Sequence, residues 1–197
     1  MISRKYKCIF IHIPKTAGTS IENILRDREC PVAAGSTHFK MLYYKNKFPK
    51  EYKSYLKFSI VRNPWERLVS GFSYFQRGGN GSPQDKQKKK LFGDDFKYFT
   101  RNIDTFDELE DTHFIQPQYE YLYIDGDLKV DHLIRFERMD EDYRLLRKRL
   151  GLQIKDLYKI RATKHKHYTD LYDEETRQTV AEKYAKDIEY FGYEFEG

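Results

Sequence analysis

Apolar positions in this chain come in short runs that alternate between two periods. Cys8-Ile9-Phe10-Ile11-His12-Ile13 is a compact strand-like run, and Ile21, Ile24 and Leu25 then recur at helical spacing. Lys15 to Ser20 lies between them, so the order reads strand, tight Gly-containing loop, helix. A second strand-like run covers Leu56 to Val61. Behind it Asn63 suits an N-cap and Pro64 the first helical position, and Trp65, Leu68, Val69 and Phe72 form the buried stripe of a helix.

The remaining pattern predicts smaller pieces. Val32 to Gly35 reads as a weak strand, and Phe39, Leu42 and Tyr43 as a helix. Gly78 to Pro83 breaks the pattern, and the polar run Gln84 to Lys90 after it reads as an exposed, mobile loop. Short helices are expected at Asp94 to Thr100 and Phe106 to Leu109. Extended runs are expected at Tyr119 to Ile124 and Val130 to Phe136, with a turn at Asp125-Gly126-Asp127. Asp140 to Leu150 is helical and ends on Gly151. Asp173 caps a last helix whose Val180, Tyr184 and Ile188 face inward. Strands alternating with helices predict an α/β fold: one domain over residues 1–197, a mainly parallel sheet flanked by helices.

Composition narrows the setting. The apolar share of 39% is low and the charged share of 34% high, so the surface is strongly hydrated; 17 tyrosines and 14 phenylalanines supply large buried area in return. A net charge of +5 suits anionic ligands without identifying one. Cys8 and Cys30 form neither a disulfide framework nor a metal-ligand spacing and read as buried thiols. The first residues lack a signal-peptide apolar region, and no run is long enough to span a bilayer, so a cytoplasmic protein is expected. No motif supports binding of DNA or RNA.

The first loop carries the most chemistry. Its backbone N–H groups and the positive end of the following helix converge on one spot; Lys15 adds a cation, and Thr16, Thr19 and Ser20 add hydroxyls. It is not the nucleotide-triphosphate pattern, in which the lysine follows the glycines: here Lys15 comes first and Pro14 replaces the glycine-rich stretch. The plainer alternative is an ordinary turn with a solvated lysine. Arg62, at the end of the second strand, and Ser70, two helical turns on, could grip a second phosphate. An arginine salt-bridged at the sheet edge is the alternative there.

Taken together, these segments resemble the sulfotransferases. Ile13-Pro14-Lys15-Thr16-Ala17-Gly18-Thr19-Ser20 is similar to their 5′-phosphosulfate loop, and Phe58 to Phe75, with Val61 to Ser70 at its centre, to their 3′-phosphate strand and helix. The branch most resembled is that of heparan 2-O-sulfotransferase and related carbohydrate sulfotransferases. The tail from Tyr168 to Phe195 agrees with that branch, whereas Arg77 to Asp111 matches poorly.

The resemblance implies a donor, 3′-phosphoadenosine 5′-phosphosulfate, and transfer of a sulfuryl group to a hydroxyl of a carbohydrate or small-metabolite acceptor. Pro14, Lys15, Thr16, Ala17, Gly18, Thr19 and Ser20 would hold the phosphosulfate, Lys15 also assisting catalysis, while Arg62 and Ser70 would hold the 3′-phosphate. Sulfonate carries less charge than a phosphoryl group, so no metal is expected. His38 stands where the branch carries its catalytic histidine and is the candidate base; His113, in a segment resembling His-x-x-Pro-Gln, is the other. Lys164 and Lys166 match a basic loop that closes over the 3′-phosphate, and are equally consistent with a solvated charge run. His12 and His132, in apolar runs, read as core histidines. Lys86 and Lys88 to Lys90 read as solvated, with attraction of an acidic acceptor the alternative. A kinase would share the strand-loop-helix logic but calls for the Walker glycines and an acidic magnesium ligand. A non-catalytic nucleotide-binding module would bind the donor without turning it over.

Overall fold

The computed structural model describes residues 1–26, 38–108, 112–153 and 167–196. Its chain divides into two compact units, Met1–Arg62 with Gln118–Ala162, and Asn63–Pro117 with Thr163–Gly197. The first unit opens with β1 (Ile2–Ser3), β2 (Cys8–Ile11), α1 (Gly18–Leu25), α2 (Met41–Lys47), α3 (Pro49–Ser54) and β3 (Leu56–Val61). The second begins with α4 (Pro64–Gln76), α5 (Pro83–Phe92), α6 (Phe96–Arg101) and α7 (Ile103–Asp107). The chain returns to the first unit through α8 (Tyr119–Leu122), β4 (Tyr123–Ile124), β5 (Asp127–Leu128), β6 (His132–Arg135) and α9 (Met139–Leu150). It closes in the second with α10 (Glu174–Lys183) and α11 (Ala185–Phe191).

In the first unit a four-stranded sheet runs β1-β2-β3-β6, antiparallel only at β1. Phe10 pairs with Phe58 and Ile60 with Ile134, and on that face Ile21 and Leu25 of α1 and Tyr143 and Leu146 of α9 complete one apolar core. Ile9, Ile11 and Val61 on the other face are fully buried as well, which is why these strands read as unbroken apolar runs. The mainly parallel α/β reading thus holds. β2 and β3 end side by side, and in open parallel sheets ligands bind beyond the carboxyl ends of the strands.

The second unit is helical around an aromatic core. Trp65, Leu68, Val69, Phe72 and Phe75 of α4 pack with Phe92, Phe96, Phe99, Phe106 and Phe114. Phe99 and Phe106 stack at 5.4 Å, and Phe114 lies so close to α4 that a Cβ on Gly71 would stand 2.1 Å from its ring. Buried Arg67 donates to the Gln116 carbonyl at 2.5 Å, and its guanidinium lies 5.6 Å from the Tyr184 ring, whose hydroxyl donates to the Ile115 carbonyl at 2.6 Å. Asn63 caps α4, accepting from Trp65 and Glu66 N–H.

Several elements differ from the sequence reading. Gln84 to Lys90 is not a loop but most of α5: Ser82 caps it, Pro83 opens it, and buried Asp85 accepts from the N–H of Asn80 and the hydroxyl of Tyr74. Tyr119 to Leu122 forms a helical turn, leaving Tyr123–Ile124 to pair with Asp127–Leu128. The last helix is two, broken at Tyr184, with Asp187 buried and Ile188 only half-buried. Asp173 does cap it, in a capping box with Thr176. The weak strand at Val32 to Gly35, Cys30, and the basic stretch with Lys164 and Lys166 lie outside the described residues.

Candidate active site

The loop after β2 is built with unusual backbone. Lys15 and Ala17 both take left-handed conformations, φ 68° and 66°, with Thr16 at negative φ between them. Alternation of this kind turns successive N–H groups toward one concavity, an arrangement that suits anions. Such conformations cost a non-glycine residue roughly 1–2 kcal/mol each, so packing must hold them. Part of the hold is visible. Thr16 is fully buried and its hydroxyl donates to the Ile13 carbonyl at 2.9 Å, so that hydroxyl is turned into the loop. Ala17, at the N-cap of α1, has no side-chain cap to offer, and the first turn holds no acidic residue. Lys15 is half-buried, Thr19 exposed, and Pro14 and Ser20 buried.

Gly18 is not the left-handed residue of this loop. It is required because the His12 ring lies beneath it: a Cβ at residue 18 would stand 2.2 Å from His12 Cδ2. His12 is buried, as expected, and its Nδ1 lies 3.0 Å from Glu22 Oε1.

Arg62 continues from β3 into the same unit's site. Its N–H donates to Gln118 Oε1 at 2.9 Å, and Gln118 Nε2 donates back to the Arg62 carbonyl at 2.8 Å. One guanidinium nitrogen donates to the Lys15 carbonyl at 3.2 Å, and the guanidinium lies 4.0 Å from the centre of the Phe136 ring. Arg62 therefore touches the loop after β2.

His38 is half-buried, and its Nδ1 lies 3.1 Å from the His12 carbonyl. A carbonyl only accepts, so Nδ1 carries a proton in this bond, which turns Nε2 to the opposite side of the ring. The residues after it are anchored: Phe39 stacks on Tyr43 at 3.9 Å and Lys40 pairs with Glu120 at 2.6 Å. His113 is exposed and belongs to the second unit, between buried Thr112 and Phe114; Ser70 is a buried residue of α4, also in the second unit. His132 is half-buried, with Nε2 3.1 Å from the Asp142 carbonyl.

Burial pushes the Glu22 carboxyl up, but the His12 hydrogen bond and charge outweigh it and hold the group below its ordinary range. Asp131 sits at the amino end of β6, held by Lys57 N–H and Nζ. Among the described residues, no cluster of three or more His, Cys, Asp or Glu side chains is arranged to hold a metal ion. Gln118, Phe136 and Glu22 were not legible as site residues. Gln118 alone had a signal, as the last residue of the segment His113-Phe114-Ile115-Gln116-Pro117-Gln118.

An α/β unit with an anion-shaped loop after one strand and an arginine after the next suits the binding of a phosphate or sulfate group. The match to the Sulfotransferase family runs over residues 1–194, through both units, and the chain belongs to that family. It is an enzyme of sulfuryl transfer, and the family uses 3′-phosphoadenosine 5′-phosphosulfate as donor. A protein of Archaeoglobus fulgidus, described as uncharacterized, is 28% identical over 103 residues, 52% of this chain and 73% of that protein. No solved structure matches the chain significantly. Among the described residues, no helix is long and apolar enough to cross a membrane.

Proposed function

We propose that the chain transfers the sulfuryl group of 3′-phosphoadenosine 5′-phosphosulfate to a hydroxyl of a carbohydrate or small metabolite, with His38 as base and without a metal. Left-handed Lys15 and Ala17 aim loop N–H groups at the non-bridging oxygens, and the Lys15 ammonium neutralises the bridging oxygen. Arg62 takes the 3′-phosphate beside the loop it already touches; Ser70's share in that task rests on the sequence motif. His38 Nε2 removes the acceptor hydroxyl's proton as the new S–O bond forms. The bond between sulfur and the bridging oxygen breaks, and its electron pair leaves with the nucleotide phosphate.

The observation that carries this reading is the His38 Nδ1 bond to the His12 carbonyl, which fixes the ring to the residue two before Pro14, where the chain enters the loop. It favours His38 over exposed His113 as base. Resemblance to the heparan 2-O-sulfotransferase branch supports a carbohydrate acceptor.

Calorimetric titration with 3′-phosphoadenosine 5′-phosphate, with and without magnesium and beside ATP, tests the donor half. Tight, magnesium-independent binding with ATP far weaker is expected; a magnesium-dependent preference for ATP would replace this reading with that of a kinase. Turnover separates an enzyme from a binding module, and His38→Ala is expected to lower kcat by about a hundredfold with donor affinity retained.

A further inference from the structure

The His12 ring has three neighbours of different kinds. Nδ1 lies 3.0 Å from Glu22 Oε1, and since a carboxylate only accepts, Nδ1 carries the proton of that bond. The opposite edge lies under the backbone of Gly18, where a Cβ would stand 2.4 Å from Nε2. The third neighbour is the His38 ring, met edge-on with centroids 4.6 Å apart and planes at 65°.

His12 is 6% exposed and Glu22 8%. An ionised carboxylate so far from water is costly unless it is paired, and an apolar side chain would fill the same space more cheaply. What a packed apolar group does not supply is a fixed rotation of the ring. Glu22 lies four residues beyond Gly18 on α1, so the loop's end and the carboxylate belong to one helix. His12 reaches His38 twice, through its carbonyl at Nδ1 and through its ring.

We propose that Glu22 and His12 are positioning residues of the active site: Glu22 clamps the His12 ring, and the ring sets the base His38 against the donor loop at Gly18. This rests on the reading of His38 as base. The backbone bond selects the His38 tautomer, and the clamped ring holds the tilt that keeps that bond straight.

The test is ¹⁵N-resolved NMR of the histidine rings in protein saturated with 3′-phosphoadenosine 5′-phosphate, comparing wild type, Glu22→Leu and Glu22→Gln. In wild type, His12 and His38 should each show a protonated Nδ1, and His38 an unprotonated Nε2. Glu22→Leu should lose the His12 Nδ1–H signal and also mix the tautomers of His38, which Glu22 does not touch; Glu22→Gln, which keeps an acceptor, should restore His38. Nucleotide affinity should stay within about threefold throughout. His38 signals unchanged in Glu22→Leu would overturn the proposal, as would mixed His38 tautomers in wild type, a measurement that needs no variant to fold. Failure of the nucleotide to bind wild type would instead strike the sulfotransferase-site reading itself.

Discussion

Gly18→Ala tests how tightly the donor loop is packed on what lies beneath it. The new Cβ would meet three atoms of the His12 ring at 2.2, 2.4 and 2.8 Å, all far inside van der Waals contact. Two responses are open. The helix start can lift from the ring, an overpacking cost of about 1–3 kcal/mol. Alternatively the ring can leave, giving up a charge-assisted hydrogen bond to Glu22, about 1.5–3 kcal/mol. Removing a glycine from the helix recovers about 0.5–1 kcal/mol. The net is a loss of roughly 1–2 kcal/mol, or about 2–8 °C in Tm for a chain of this size. Differential scanning calorimetry reads the Tm, and titration with 3′-phosphoadenosine 5′-phosphate reads the loop, where affinity should fall. His12→Ala made together with Gly18→Ala should cost less than the sum of the two, because the ring is then gone. Unchanged Tm and affinity in Gly18→Ala, or strict additivity in the double variant, would refute the reasoning.

Lys15→Ala is expected to lower sulfuryl-transfer turnover by about a hundredfold or more while the Tm holds, and unchanged kinetics would remove its role. Arg62→Ala should weaken 3′-phosphoadenosine 5′-phosphate by about 10- to 100-fold but adenosine 5′-phosphate much less, as compared by calorimetry. Tyr184→Phe leaves the Ile115 carbonyl buried without its donor and should cost about 1–3 kcal/mol in urea unfolding. The Glu22 carboxyl is held below its ordinary value of 4.5, so its stabilising contribution is complete above that pH and disappears as pH falls through the lowered folded value. Glu22→Gln should therefore flatten the fall of Tm with pH below about 4.5; an unchanged acid limb would count against the His12 pairing.

What could be read in advance was what local punctuation controls. The start of α4 is marked by Asn63 and Pro64 regardless of the rest of the fold, and both do there what their chemistry predicts. The strand-loop-helix order around Lys15 was visible for the same reason. Left-handed Lys15 and Ala17 were not, because neither is glycine and tertiary packing imposes the conformation. α5 was missed because its signal is the cap Ser82-Pro83-x-Asp85 rather than an apolar period, only Phe92 giving it a deeply buried apolar residue. The His12–Glu22 pair joins a strand to the helix after it across ten residues, a contact that no periodicity encodes. The break at Tyr184 falls within a pattern whose inward positions continue past it, so spacing alone ran the two helices together.

Arg62 is the residue after which the chain leaves the first unit, and Gln118 is the one at which it returns. These two hold each other by a reciprocal pair of hydrogen bonds. Residues 63–117 are thus an excursion stapled at its base, the form taken by an insertion between two neighbouring strands. The entropy of closing such a segment grows only slowly with its length, so the excursion can lengthen, shorten or change sequence while asking little more of its anchor. The anchor has no such freedom, since the arginine that closes the excursion also holds the Lys15 carbonyl. Within the first unit, the Gln118 pair thus keeps the arginine against the Lys15 carbonyl whatever the length of chain between residues 62 and 118.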